Sequence, residues 1–143
     1  DYSFSDNPDH ASDNRWLHRP KMDWEKAERR NDTGSIESRI FHGILELIRV
    51  RKQTAQLHSQ VPATVIDSGH PHIFTHLRPH PSGNLLCVYN FSEFPQTLHP
   101  HLFDTYQIFS PYDLITKRVA NAWDRLVHLA PYERLWLVDA SSV

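Results

Sequence analysis

Apolar residues recur at helical spacing from Ile36 through Ile40, Ile44, Leu47 and Ile48 to Ala55, and Phe41 and Leu45 widen the stripe. This pattern predicts one amphipathic helix over 35–58. Ser35 stands where an N-cap belongs, Glu37 falls in the first turn, and Arg49, Arg51 and Lys52 gather towards the C-terminal end. Both charge placements suit the helix dipole. A face this apolar requires a large surface to pack against. From residue 61 onwards the pattern changes. Short runs at 62–67, 72–78, 84–91, 106–109, 125–130 and 133–138 read as strands. Pro81-Ser82-Gly83-Asn84 marks a hairpin turn between the second and third of these. Leu85 to Tyr89 is apolar on both faces and is expected to be a central strand. In the last run Leu135 and Leu137 share one face, with Trp136 and Val138 on the other. Strands at this spacing predict an antiparallel sandwich over 59–143. Residues 1–34 show neither period. They are polar and irregular, yet hold Trp16, Met22, Trp24 and several arginines. A loop of this length is usually functional or a linker.

Composition narrows the reading. In 143 residues, 39% are hydrophobic and 22% charged, which fits a packed core and excludes a wholly disordered chain. No apolar run has the roughly 18–20 residues of a membrane-spanning helix. A net charge of −2 indicates no broad basic surface for nucleic acid. The single Cys87 allows neither an internal disulfide nor a thiolate zinc cage, and it leans towards a cytoplasmic home, which the sequence otherwise leaves open. The ten prolines fall mainly after residue 60 and disfavour long helices there. A long loop and an unpartnered helix ahead of a sandwich read as the tail of a preceding domain. The chain is expected to be a fragment.

The eleven histidines invite a metal reading. His70, His72, His76 and His80 cluster in sequence, near His99 and His101, and His72 and His76 share strand parity with Phe74 between them. No carboxylate or cysteine completes a zinc set, so no metal site is expected and these are read as histidines on an exposed strand face. Asp6, Asp9 and Asp13 lack the glycine and terminal glutamate of a calcium loop. Cys87 is expected to be an inert core residue. The glycosylation sequons at Asn31 and Asn90 carry no weight.

Several motifs, taken in order, resemble one family. Asp1-Tyr2-Ser3, Asp13-Asn14-Arg15-Trp16 and His18-Arg19-Pro20 are similar to the amylosucrase and sucrose hydrolase branch of glycoside hydrolase family 13. Arg39-Ile40-Phe41-His42-Gly43 and Leu47 to Lys52 resemble its last barrel helix. Val88 to Glu93, Asp113-Leu114-Ile115-Thr116 and Pro131 to Leu137 resemble strands of its C-terminal domain. Lys21-Met22-Asp23-Trp24 also echoes other family 13 branches acting on α-glucosides, and Lys117 stands where relatives commonly carry glycine.

The resemblance implies a mostly β chain: an antiparallel β-sandwich at 59–143 preceded by the last piece of a (β/α)8 barrel at 1–58. Residues 1–34 would be the loop after the eighth strand and 35–58 the eighth helix. Loops on that side of a barrel build the active site. The implied chemistry is retaining cleavage by two carboxyl groups. Neither catalytic carboxyl lies in this chain, so no catalytic residue is assigned to it. Arg15 is the implied substrate-binding residue: its counterpart pairs with an aspartate and closes the base of the glucosyl subsite. Asp13, His18 and Arg19 follow as residues orienting the loop. Trp16 and Trp24 either stack on sugar or pack the loop. No cofactor is implied. The partners implied are sucrose or an α-glucan and the remainder of the barrel, with hydrolysis and glucosyl transfer left open. The alternative is a self-contained, non-catalytic sandwich that binds carbohydrate or protein.

Overall fold

The computed structural model describes residue 9, residues 21–120 and residues 126–143. The chain forms two compact units, Asp1–Ile44 and Leu45–Val143, dividing within the long helix.

In the first unit, helix α1 (Trp24–Glu28) is capped by Asp23, whose side chain accepts from the Lys26 N–H. A single 3-10 turn over Arg29–Asn31 follows. Helix α2 (Ile36–Gln53) starts where the sequence places it: the Ser35 hydroxyl accepts from the Ser38 N–H at 3.0 Å. The α-helix stops at Gln53 rather than continuing to 58. The Thr54 hydroxyl turns back onto the Val50 carbonyl, and a 3-10 turn over Ala55–Leu57 takes over.

The second unit is mostly antiparallel β. Its strands are β1 (Thr64–Ile66), β2 (Ile73–Arg78), β3 (Leu85–Asn90), β4 (Gln96–Leu98), β5 (Pro111–Asp113), β6 (Arg118–Val119), β7 (Val127–Leu129) and β8 (Arg134–Asp139). Six of them form one sheet in the order β1-β2-β3-β8-β5-β6, and β4 pairs with β7 in a second. The expected sandwich is therefore present but unequal. The two-stranded sheet and the short helix α3 (Pro100–Thr105) together cover the inner face of the large one.

The register shows why the central run is apolar on both sides. Leu86 and Val88 of β3, with Leu135 and Leu137 of β8, pack inward against Leu98, Phe103, Ile108, Val127 and Leu129. Leu85 and Cys87, with Val138, face outward together with Tyr89, Tyr112 and Trp136. Strand β3 lies between β2 and β8, paired Leu86 to Leu137 and Cys87 to Trp136.

The expected strand at 106–109 is absent. Pro100 occupies the first helical turn, where its fixed φ favours the helix, and α3 ends at Thr105 with Tyr106 as its C-cap. Gln107 takes a left-handed φ of 60°, and Ile108 turns its side chain into the inner core before β5 begins at Pro111. The Pro81-Ser82-Gly83-Asn84 hairpin forms as expected. Gly83 sits at φ +116°, and a Cβ there would lie 2.9 Å from the Ser142 hydroxyl.

Two buried polar side chains hold the loops. The Asn90 amide donates to the carbonyls of Phe94 and Ala130, at 2.8 and 2.9 Å, while its oxygen accepts from the Ser92 N–H and hydroxyl. Asn90 is buried and uses every donor it has, so the sequon there is a structural lock. Asp113, also buried, accepts from the N–H groups of Ile115, Thr116 and Trp136 and from the Thr116 hydroxyl.

Asn90→Ala removes the four hydrogen bonds of a buried side chain and is expected to cost about 1–3 kcal/mol, read as a lower urea midpoint with an unchanged slope. Lys117 sits at φ 58° in the β5–β6 turn. Lys117→Gly is expected to raise stability by up to about 1 kcal/mol, because glycine adopts that backbone freely. A fall in stability in the same denaturation assay would contradict it.

Candidate functional site

Asp13, Arg15, Trp16, His18 and Arg19, the residues that the sequence singles out for substrate, lie outside the described residues. The loop becomes describable at Lys21. Met22 and Trp24 are exposed there, and Arg30 places its guanidinium 6.0 Å from the centre of the Phe41 ring.

The long apolar stripe of α2 is open. Ile36 is 67% exposed, and Ile40, Phe41, Ile44 and Ile48 are exposed as well. Contiguous apolar area of this kind marks a surface that another element covers.

Among the described residues no group of three or more His, Cys, Asp or Glu side chains is placed to hold a metal ion. His70 and His72 lie against each other before β2, His76 stands on the outer face of β2, and His80 bonds Ser82 within the hairpin turn. His70 meets His99 and His101 around an open cleft of about 400 Å³, beside Asp67, Thr97 and Tyr106. The sequence set these histidines near one another, and α3 and β4 bring His99 and His101 to the cleft.

The outer face of the large sheet carries a second grouping that the strand pattern did not single out. Strand parity puts Phe74 and His76 of β2 beside Tyr89 of β3, with Phe91 just beyond. His76 stacks on Tyr89 with ring centres 5.8 Å apart and planes 12° from parallel. Phe74 touches both Tyr89 and Phe91, at 6.1 and 6.5 Å. The Trp136 indole N–H donates to the Tyr89 hydroxyl at 3.3 Å. Beneath them Cys87 is fully buried, and burial pushes its thiol up to about 12. That thiol is an inert core group, as its strand position implied. Burial also raises the Tyr89 phenol and lowers the His76 imidazole, the latter with help from the Arg78 charge.

Comparison with known proteins places this architecture. A family model described as "Amylosucrase, C-terminal domain" matches residues 63–138, more than half of the chain. Among solved structures, AmyP in complex with maltose is similar at 18% identity and a TM-score of 0.53, covering 66% of this chain and 19% of its own. AmyP in complex with maltotriose, as a variant, gives 17% identity and a TM-score of 0.51, with the same 66% and 19% coverage. Trehalulose synthase MutB from Pseudomonas mesoacidophila gives 21% identity and a TM-score of 0.48, covering 65% of this chain and 16% of its own. The chain thus spans about a fifth of the length of the first structures it matches.

The lowered His76 has a defined consequence for stability. Its imidazole is held neutral in the fold, so between its folded value and the ordinary 6.5 the unfolded chain binds more protons. Stability is complete above about pH 6.5 and falls as the pH drops through that window. Asp139 acts lower. Hydrogen bonds from Ser141 and from the Ser110 backbone hold its carboxyl at about 2, so its contribution is lost only below the ordinary 3.8. His76→Gln is expected to flatten the pH dependence of Tm between pH 6.5 and 5. An undiminished slope in the variant would contradict this.

Proposed function

The chain belongs to the family of amylosucrase C-terminal domains, and on that premise we propose that it is the closing portion of a family 13 α-retaining enzyme acting on sucrose. The match over residues 63–138 carries this reading. The open stripe of α2 agrees with it, because a barrel's last helix packs its apolar face on the rest of the barrel. In this proposal residues 1–58 end the catalytic barrel and residues 59–143 are the stabilising sandwich. The partners are the remainder of the barrel and, through it, sucrose or an α-glucan.

The reaction proceeds by displacement at the anomeric carbon. A carboxylate forms a bond to that carbon while the glycosidic C–O bond breaks, and a second carboxyl gives its proton to the departing fructosyl oxygen. Water or an acceptor hydroxyl then takes the glucosyl unit, giving glucose or a longer α-glucan. Both carboxyls belong to the preceding part of the barrel. Arg15 contributes a fixed charge and a planar fork of donors to the base of the glucosyl subsite, held by an aspartate from an early barrel loop. Asp13, His18 and Arg19 orient the loop that presents it. The sucrose-acting branch is preferred because Asp13-Asn14-Arg15-Trp16 and His18-Arg19-Pro20 occur together in that loop.

The test begins with the coding DNA upstream of Asp1, where an open frame encoding the barrel is expected. In that full-length enzyme, Arg15→Ala is expected to lower kcat/KM for sucrose by about 10²–10³-fold at unchanged Tm. Arg15→Lys restores little, since a point charge does not replace the fork. The 143-residue chain alone is expected to release no fructose. Turnover by that chain, lost on changing Asp13 or Glu25, would overturn the proposal.

A further inference from the structure

The turn between β1 and β2 lines one part of the open cleft of about 400 Å³, and the segment running from β4 into α3 lines the rest. Local hydrogen bonds fix both walls. In the first, Gly69 sits at φ 68° and donates its N–H to Asp67 Oδ1 at 2.8 Å. The Ser68 hydroxyl donates to the Ile73 carbonyl at 2.8 Å and accepts from the His70 N–H at 3.2 Å. In the second, β4 brings Thr97 and Leu98, and α3 with its two caps brings His99, His101 and Tyr106. The Thr105 hydroxyl donates to the His101 carbonyl at 2.8 Å and ties the end of α3 to its start. Walls held in this way cost little to order when a ligand arrives.

The groups on these walls are of mixed kind. Asp67 Oδ1 is engaged by Gly69, which leaves the carboxylate its second oxygen. His70 Nδ1 accepts from the His72 N–H at 3.3 Å, so the neutral ring carries its proton on Nε2 and keeps a donor there. Among the described residues no hydrogen bond engages the imidazoles of His99 and His101 or the Tyr106 hydroxyl. Leu98 and Leu102 add apolar lining. This mixture selects among ligand classes. An anion would be brought against Asp67. A metal ion finds no set of three ligating side chains among the described residues. A wholly apolar ligand would strip water from a carboxylate and three imidazoles. A neutral ring bearing several hydroxyls meets donors, acceptors and apolar wall together, in a volume within the roughly 300–1,000 Å³ of small-molecule sites.

Resting on the function proposed above, we propose that this cleft is a second carbohydrate site, which takes a glucosyl unit or two of an α-glucan chain. Asp67 and the imidazole nitrogens of His99 and His101 accept from sugar hydroxyls, and His70 Nε2–H and the Tyr106 hydroxyl donate to them. Every wall comes from the sandwich, so the cleft holds glucan independently of the loop that carries Arg15.

Native electrophoresis of the full-length enzyme through gels containing soluble α-glucan tests this, with kcat/KM for sucrose measured on the same proteins. His99 and His101 are exposed, so the double variant His99→Ala/His101→Ala is expected to keep the Tm and the sucrose kcat/KM of the parent. Its dissociation constant for the glucan is expected to rise about tenfold, the loss of one or two hydrogen bonds. Asp67→Asn, which keeps an acceptor for the Gly69 N–H, is expected to weaken retention in the same direction, and Arg15→Ala to leave it unchanged. Retention by both cleft variants equal to the parent's, in an enzyme that turns over sucrose, would overturn this inference and leave the proposed function standing. Retention abolished by Arg15→Ala alone would place all glucan binding in the catalytic site and overturn it as well. Retention relieved by free sucrose in the Arg15→Ala enzyme would assign the cleft to the disaccharide and overturn the glucan reading. A parent that is retained but never turns over sucrose, with retention lost in the cleft variants, would overturn the proposed function and support the carbohydrate site.

Discussion

Strand β3 is the constraint on which the rest depends. Leu85, Leu86, Cys87 and Val88 are consecutive and all fully buried. Consecutive strand residues point to opposite faces, so a strand of this kind is stable only with a layer on each side. The inner layer is supplied close by, from β4, α3 and β7. The outer layer is supplied in part, from the end of α2 and the 3-10 turn after it. Among the described residues the inner cover is complete and the outer one partial. The open stripe on α2 is a second apolar surface of the same kind.

Polar residues in this domain serve mainly to fix loops at the ends of those layers. Asn90 ties the segment after β3 to the turn before β8. Asp113 ties the β5–β6 turn to the middle of β8. Arg78 ties the turn after α2 to the end of β2. Each joins backbone groups of two segments through one side chain where loops meet the core. The motif residues at Asn90 and Asp113 are thus signatures of folding rather than of chemistry. A match confined to them identifies the scaffold.

Much of the fold was legible because its strongest signals are periodic. The stripe from Ile36 to Ile48 yielded α2, Ser35 yielded its start, and the two-faced run at Leu85–Tyr89 yielded the central strand. Alternation in the last run correctly assigned Leu135 and Leu137 to one face and Trp136 and Val138 to the other. The failures lie where elements are too short to show a period. Strands β4, β5 and β6 have two or three residues each, and α3 has six. There the backbone follows local chemistry: Pro100 starts a helix, and Gln107 and Lys117 accept a left-handed φ. Propensity for strand at 106–109 lost to that turn, and Ile108 serves the core from a loop.

The candidate site was legible to a different degree. Arg15 and its neighbours, which lie outside the described residues, come from a resemblance in motif alone, since no period marks them. The aromatic group on the outer face carries no motif. Phe74, His76, Tyr89 and Phe91 come from two strands, and only the register brings them together. Their parity placed them on one face, but nothing in the sequence distinguishes an exposed face from one awaiting cover. That distinction is energetic. Aliphatic and phenylalanine side chains bring area without directed bonds, so they suit a partner that excludes water over a broad patch. Carbohydrate recognition concentrates its directed bonds at a few points, whereas on the described outer face the Tyr89 hydroxyl already accepts from Trp136. What surrounds those rings, a Trp136 hydrogen bond on the Tyr89 hydroxyl and the stacking of His76 on Tyr89, is revealed only by the folded arrangement of β2, β3 and β8.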